Sequence, residues 1–463
     1  MNNAVDLISP SRLDVAAKTL VAHSMLTGRG QEVAWATYTA TLEAMNPIGT
    51  FGEDNKKFSV ADYVQSFTRL YASMSKVGFD STLGSIPLSL DGTLQNGAHR
   101  TAIATVLGLE VATTATREVP QVYDYFFFLK AGHDKTTLRR LAWEYLGLKN
   151  DVRAILLSGF HQRDTSAVLA EIRKNVQVVC HETLDLTEIG KRRLMDAAYG
   201  HLDWYHSDLR EKLIMERFGS TSRADLVLFQ SGPETDCTEF KQHLRSKYVA
   251  RGNLERRIHG SDDYAETTQL ARVFLSNAQR TFTNLSPLGA EDQILRRAQE
   301  FARPEASCLL AFDGGAVVEL FGIRTTQDLD HICANEERLC KKFLGAGDCH
   351  TPELESRGVK ASEILCDPHK IFTVEGYKFL SPDEVASFKR LRAEGKDLED
   401  ARALESLASK NVDAANAFSS ESAAARARKW KRRSQLMVLV DTALSILPKP
   451  LRRLISAAAA HFR

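Results

Sequence analysis

The run 313–330, Asp-Gly-Gly-Ala-Val-Val-Glu-Leu-Phe-Gly-Ile-Arg-Thr-Thr-Gln-Asp-Leu-Asp, constrains this chain more than any other segment. Gly314 and Gly315 permit a turn at positive φ, and without Cβ atoms they let backbone N–H groups come close to an anion. On a strand successive side chains alternate between faces, so Asp328 and Asp330 are expected together on one face with Leu329 on the other. Two carboxylates on one face suit a divalent cation that bridges phosphates. The segment therefore predicts a phosphate cradle and a metal-binding pair held close together.

With the flanking Gly322-x-Arg324-x-Thr326, this spacing resembles the nucleotidyltransferase superfamily of DNA polymerase beta, in its minimal branch that reads GG, a short amphipathic segment, then RxTxDxD. The resemblance implies a metal-dependent transfer of a nucleotidyl group. Gly314, Gly315 and Arg324 would steady the triphosphate, and Asp328 and Asp330 would hold Mg2+ or Mn2+. The stretch 372–381, followed by Lys396-Asp397-Leu398-Glu399-Asp400, is similar to the strand, helix and Lys-Asp-x-x-Asp ending of these enzymes. Glu375 and Asp367 are the candidates for a third metal carboxylate, Glu375 being expected on a strand.

At 463 residues the chain exceeds one ordinary core, and 43% hydrophobic with 26% charged residues describes a globular, multidomain α/β (α+β) protein. Five regions are expected: a helical cap (1–80), a second domain (81–150), a third (151–285), the transferase-like domain (286–405), and a spacer with a basic amphipathic helix (406–463). Seven cysteines are irregularly spaced, without a Cys-x-x-Cys pair or a secretory signal, which favours a reduced cytoplasmic setting over a disulfide framework.

In the second region an expected strand and turn lead into Gly97-Ala98-His99-Arg100, which opens a helix. A helix N-terminus with a glycine, an imidazole and a guanidinium suits phosphate. The segment resembles the ParB/sulfiredoxin fold, whose Gly-x-His-Arg box contacts nucleotide or substrate phosphates. The resemblance implies phosphate contacts from Gly97, His99 and Arg100, and Ala98 in place of the sulfiredoxin cysteine argues against reductase chemistry.

The third region reads as strand, helix, strand, aromatic-rich helices, strand, and then His259-Gly260-Ser261-Asp262 before another helix. This is similar to nucleoside diphosphate kinases, ferredoxin-like enzymes in which His-Gly-Ser-Asp carries the phosphorylated histidine. That implies a catalytic role for His259. The family's Lys-Pro-Asp is Ser158-Gly159-Phe160 here, and its asparagine is Arg256, so the transfer would lack a major electrostatic contribution. Arg245 or Arg251 could substitute; the favoured reading is a degenerate phosphate-binding module.

Formal charge is +1 overall, yet from Arg426 to Arg463 ten Lys or Arg face one acid, Asp441, a local +9 that leaves the rest of the chain at −8. The apolar run 436–447 is too short to span a bilayer, which needs about 20 residues. A cationic amphipathic helix at an anionic membrane surface is the expected reading. The leading functional expectation is a nucleotidyltransferase or phosphotransferase that acts on a nucleotide and a small acceptor at the cytoplasmic membrane face, in surface-polysaccharide assembly. The alternatives are a ParB-like nucleic-acid-associated protein with a toxin or modifying activity, which the acidic body disfavours, and a nucleotide-binding scaffold without catalysis.

Overall fold

Both faces of the central sheet are covered, which explains why its strands read as continuous apolar runs rather than alternating ones. The computed structural model describes residues 2–46, 59–232, 236–249, 256–302, 310–334 and 349–409; the expected basic tail lies outside them. Small strands β1 (Asn2–Asn3), β2 (Ile86–Leu88), β3 (Glu110–Val111) and β4 (Thr113–Ala115) pair as β1–β3 and β2–β4. The N-terminal part is otherwise helical: α1 (Asp14–Thr27), α2 (Gln31–Met45), α3 (Val60–Val77), α4 (Ala98–Leu107), α5 (Tyr125–Ala131) and α6 (Lys135–Leu148). Ser59 and Asp62 form a capping box that starts α3.

The central sheet contains β5 (Val152–Ser158), β6 (Gln177–Asp185), β7 (Arg223–Gln230) and β8 (Ile258–Gly260) in the order β6-β7-β5-β8, every pair antiparallel. Helix α7 (Gln162–Asn175) joins β5 to β6, α8 (Glu188–Tyr199) and α9 (Ser207–Phe218) join β6 to β7, and α10 (Cys237–Tyr248) precedes β8. Alternate residues of β5 serve different cores. Val152, Ala154 and Leu156 join a core that runs from Ala4 to Leu275, whereas Ile155 and Leu157 pack with Val168, Ile172, Phe240 and Leu244 on the other face. The N-terminal helices and one face of this sheet thus share a single core, whose members lie on both sides of positions 81 and 151 in the sequence.

A separate core, from Ala278 to Leu404, belongs to the C-terminal part. After α11 (Tyr264–Leu275), α12 (Asn277–Leu285) and α13 (Glu291–Phe301) come β9 (Leu310–Phe312), α14 (Gly314–Leu320), β10 (His331–Cys333), and the hairpin of β11 (Ile371–Val374) and β12 (Tyr377–Leu380). The sheet order is β10-β9-β12-β11, with β12 parallel to β9 and the other pairs antiparallel. Stacked rings of Phe282, Phe372 and Phe379 fasten α12 to this sheet. Helices Pro382–Arg392 and Gly395–Ser409 close the unit. Among the described residues no helix is long and apolar enough to cross a membrane.

A buried ion network ties the N-terminal helices to the central sheet. The Glu182 carboxylate on β6, 1% exposed, accepts from Arg139 Nε (2.9 Å), Lys135 Nζ (3.0 Å) and the Tyr125 hydroxyl (2.8 Å). Arg139 also reaches Asn277 at the start of α12 (2.7 Å). Burial pushes the Glu182 carboxyl upward, but the charges of Arg139 and Lys135 overcome this and hold it at about 2. That lies below the unfolded value of about 4.3, so on acidification the unfolded chain takes up the proton first. The stabilisation is complete above the unfolded value and disappears as pH falls from about 4 to about 2. Glu182→Gln leaves Arg139 buried without its counter-charge and should cost roughly 3–5 kcal/mol at pH 7. Urea unfolding checks this: the penalty should shrink below pH 4, and a pH-independent penalty would remove the electrostatic account.

Candidate metal centre

Three segments of the C-terminal unit converge at the edge formed by β9 and β10. Asp313 follows β9 and occupies the N-cap position of α14, Asp330 immediately precedes β10, and His350 precedes the helix Thr351–Ser356. The antiparallel pairing of Phe312 with His331 puts Asp313 opposite Asp330, and the Asp313 N–H donates to the Asp330 carbonyl at 2.9 Å. His350 is brought in by its own N–H, which donates to the carbonyl of His331 at 2.9 Å. One ligand atom from each of Asp313, Asp330 and His350 lies within 4.8 Å of the others.

The hydrogen bonding fixes the imidazole. Asp313 Oδ2 lies 3.0 Å from His350 Nδ1, and a carboxylate can only accept, so Nδ1 carries the proton. Nε2 then points toward Asp330, 4.0 Å from its Oδ1. Burial disfavours the imidazolium, but the Asp313 hydrogen bond and the charges of Asp313 and Asp330 prevail and raise His350 above an ordinary histidine. Asp313 is fully buried, and its Oδ1 has no hydrogen-bond partner among the described residues. A buried carboxylate oxygen without a donor is costly, and a cation beside it would remove that cost. A carboxylate–histidine pair with a second carboxylate is a familiar donor set for divalent ions, the carboxylate orienting the ring. The oxygens suit Mg2+ or Mn2+, whereas the imidazole favours Mn2+ or a later transition ion over Mg2+.

The two glycines are explained by the loop that crosses them. Gly314 has φ 51°, and a Cβ there would lie 2.7 Å from Asp330 Oδ2. A Cβ on Gly315 would lie 3.0 Å from Thr326 Cγ2. Thr326 is fixed in turn, its N–H and hydroxyl donating to Glu319 Oε2 at 2.8 and 2.9 Å. Glycine pair and Arg-x-Thr-x-Asp-x-Asp segment are thus two halves of one contact.

Other expected residues lie elsewhere or have partners. Asp328 is exposed and, like Asp330, precedes β10, so the pair does not sit on a strand; of the two, only Asp330 joins the cluster. The reason is that pairing with β9 starts at His331. Glu375 occupies the exposed two-residue turn of the β11–β12 hairpin at φ 46°, a turn position rather than the expected strand. Asp367 is bound by Arg140 at 3.0 Å, away from the cluster. Arg324 makes a bidentate pair with Asp400 (2.9 and 2.7 Å), and buried Lys389 bridges Asp400 and Asp397, each at 2.8 Å. The Lys-Asp-x-x-Asp ending thereby locks the last two helices to the Arg324 loop.

In the N-terminal part Gly97 is the left-handed N-cap of α4, and Arg100 donates to the carbonyls of Gly84 (2.6 Å) and Ser85 (3.2 Å). His99 is hydrogen-bonded to the Tyr38 hydroxyl at 2.7 Å and wedged against Phe67. On β8, His259 is buried, with Nε2 2.6 Å from Glu266 and its ring against Tyr199. Burial lowers its pKa, so the neutral ring is favoured. Arg245 donates twice to the Ile258 carbonyl. These contacts occupy the groups that the sequence assigns to phosphates. No family model, curated protein or solved structure matches this chain.

Gly314→Ala should destabilise the C-terminal unit by roughly 1–3 kcal/mol, since it adds a collision to a strained φ. Gly28→Ala carries comparable strain (φ 69°) with nothing within 4 Å of its Cβ, and should cost less. Chemical denaturation of the two variants side by side checks this; equal losses would mean that the Gly314–Asp330 contact is unimportant.

Proposed function

We propose that the protein is a divalent-metal-dependent nucleotidyltransferase whose centre is formed by Asp313, Asp330 and His350 in a nucleotidyltransferase-like C-terminal unit. What supports this reading is one observation above the rest: three donors from three separated segments meet at a buried carboxylate oxygen that has no partner among the described residues, beside a glycine at positive φ whose Cβ would lie 2.7 Å from Asp330 Oδ2. Mg2+ or Mn2+ held there would supply charge stabilisation for phosphoryl transfer. Asp313 orients His350, and Asp330, partly exposed, is the carboxylate within reach of substrate. Asp328, open to solvent two residues earlier, is assigned to a second cation that arrives with the nucleotide.

In the reaction the acceptor oxygen bonds to the α-phosphorus while the bond to the pyrophosphate oxygen breaks, pyrophosphate leaves, and the acceptor's proton passes to solvent water. Arg324 contributes by holding the loop through Asp400 rather than by contacting phosphate. The central sheet, with strand order β6-β7-β5-β8 and two helices inserted between β6 and β7, is read as a ferredoxin-like unit of the nucleoside diphosphate kinase type. Its His259, buried and bonded to Glu266, serves structure there rather than phosphoryl transfer. The Gly97-x-His99-Arg100 box is likewise read as a structural remnant of a ParB/sulfiredoxin-like unit.

The test is incubation of the full chain with each nucleoside triphosphate labelled at the α-phosphate, Mn2+ or Mg2+, and a metabolite extract as acceptor source. Label should enter a product and release pyrophosphate. Asp313→Asn, Asp330→Asn and His350→Ala should each lower the rate by at least the roughly 10–100-fold that outer-shell partners of metal sites cost. Unlabelled products, or undiminished labelling by the variants, would refute the assignment.

A further inference from the structure

A cavity of about 460 Å³ lies at the seam between the two large cores, and none of its lining residues belongs to the metal cluster. Its walls come from the α1–α2 turn, α6, the α11–α12 junction and the β11–β12 hairpin. Those walls are fastened from opposite sides. The Glu363 carboxylate accepts from the first two N–H groups of α2, those of Gln31 (2.9 Å) and Glu32 (3.1 Å). Arg140 on α6 binds Asp367, and the Ser276 hydroxyl donates to the Pro368 carbonyl at 2.5 Å. Gly30 completes the seam: at φ 65° its missing Cβ would stand 2.9 Å from Cys366 Cβ. The opening is thus a built feature of the contact between the N-terminal and C-terminal parts.

Its chemistry is one-sided. Arg29, Arg140, Arg272 and Lys378 line it, against the single acid Glu144. Arg140 is neutralised by Asp367. Arg272, half-buried on α11, has no hydrogen-bond or ion-pair partner among the described residues. Burial alone lowers its pKa, with no acid nearby to offset the loss of hydration. Glu144 does not fill that role. Its carboxyl is pushed up to about 7 by burial, against a Thr19 hydrogen bond that favours the charged form, so its negative charge is weakened near neutrality. Trp143 offers a half-buried indole, and the remaining surface is largely apolar. A half-buried guanidinium without a counter-ion among the described residues, in one cavity with an aromatic ring, is complementary to one chemical class.

We propose that this cavity is a second small-molecule site, which binds an organic anion carrying a flat ring system, with its phosphate or carboxylate on Arg272 and its ring against Trp143. The volume falls within the roughly 300–1,000 Å³ range of small-molecule sites. A ligand there touches both parts of the chain, so its binding also braces the seam.

The test uses the full chain in EDTA, which keeps the metal cluster unloaded and makes the outcome independent of the nucleotidyltransferase reading. Adenosine 5′-monophosphate and naphthalene-2-carboxylate are the ring-bearing anions; inorganic phosphate and adenosine are the separate halves. Titration should show one saturable site for at least one ring-bearing anion, with a change in tryptophan fluorescence that Trp143→Phe abolishes. Arg272→Met should weaken binding tenfold or more with the thermal midpoint unchanged, and Arg272→Lys should restore part of it. Preference for the phosphate ligand or the carboxylate ligand tells which anionic head the site takes. The proposal is overturned if neither ring-bearing anion binds, if Arg272→Met binds as well as the parent, or if phosphate or adenosine alone matches the complete ligand.

Discussion

The contact between Gly314 and Asp330 determines how the C-terminal unit is arranged. The Asp313 N–H reaches the Asp330 carbonyl at 2.9 Å, and the Asp330 side chain packs so close to Gly314 that a Cβ there would lie 2.7 Å from its Oδ2. From this follow the start of β10 at His331, the opposition of Asp313 and Asp330, and the position of His350, whose backbone is bonded to His331. The backbone geometry brings two carboxylates and an imidazole together, and the hydrogen bond from His350 to Asp313 then decides which ring nitrogen is left for a ligand.

Around that centre, buried charge is managed by pairing, which limits what each charged group can do. Arg324, Asp400, Lys389, Asp397 and Arg392 form one chain of ion pairs across the last two helices. Glu182 gathers Arg139, Lys135 and Tyr125 where the N-terminal helices meet the sheet. Removal of one member of such a group leaves its partners desolvated and unpaired, so these networks specify geometry more than they supply net stability. Arg272 has no such partner among the described residues, and Asp313 Oδ1 has no donor. Asp151 Oδ1 and Arg217 Nη1 also lack hydrogen-bond partners among the described residues, but Arg272 faces a cavity and Asp313 Oδ1 lies in the three-ligand cluster. The latter two, one cationic and one anionic, mark the two candidate ligand sites.

Much of the arrangement was legible in the amino-acid order where local physics decides it. The glycine turn and the placing of Asp330 beside it follow from turn geometry and spacing, whereas the fully buried short helix that starts at Gly314 had no expectation behind it. The apolar runs at 154–157 and 226–229 read as strands because both faces are buried, although β5 and β7 extend beyond the apolar stretches at both ends. Asp328 and Asp330 illustrate the limit: alternation holds only along a strand, and the strand starts at His331, one residue after Asp330 and three after Asp328. Asp313 was adjacent to the recognised motif yet overlooked, since a residue that follows a strand before a glycine pair looks like a simple turn residue. His350 had no local signal, because its role depends on a backbone bond to a residue nineteen positions earlier in the chain, at His331. His99, Arg100, His259 and Arg245 had the right types for phosphate, but their partners Tyr38, Gly84, Glu266 and Ile258 are set by tertiary packing that no motif encodes.

The most direct measurement is Mn2+ binding to the full chain, followed by electron paramagnetic resonance of the free ion at increasing protein concentration. Tight binding at one site should be lost in Asp313→Asn, Asp330→Asn and His350→Ala, and should persist in Glu375→Gln. Absence of binding in the parent, or binding that survives Asp313→Asn with an unchanged dissociation constant, would contradict the assignment of this cluster as a metal centre.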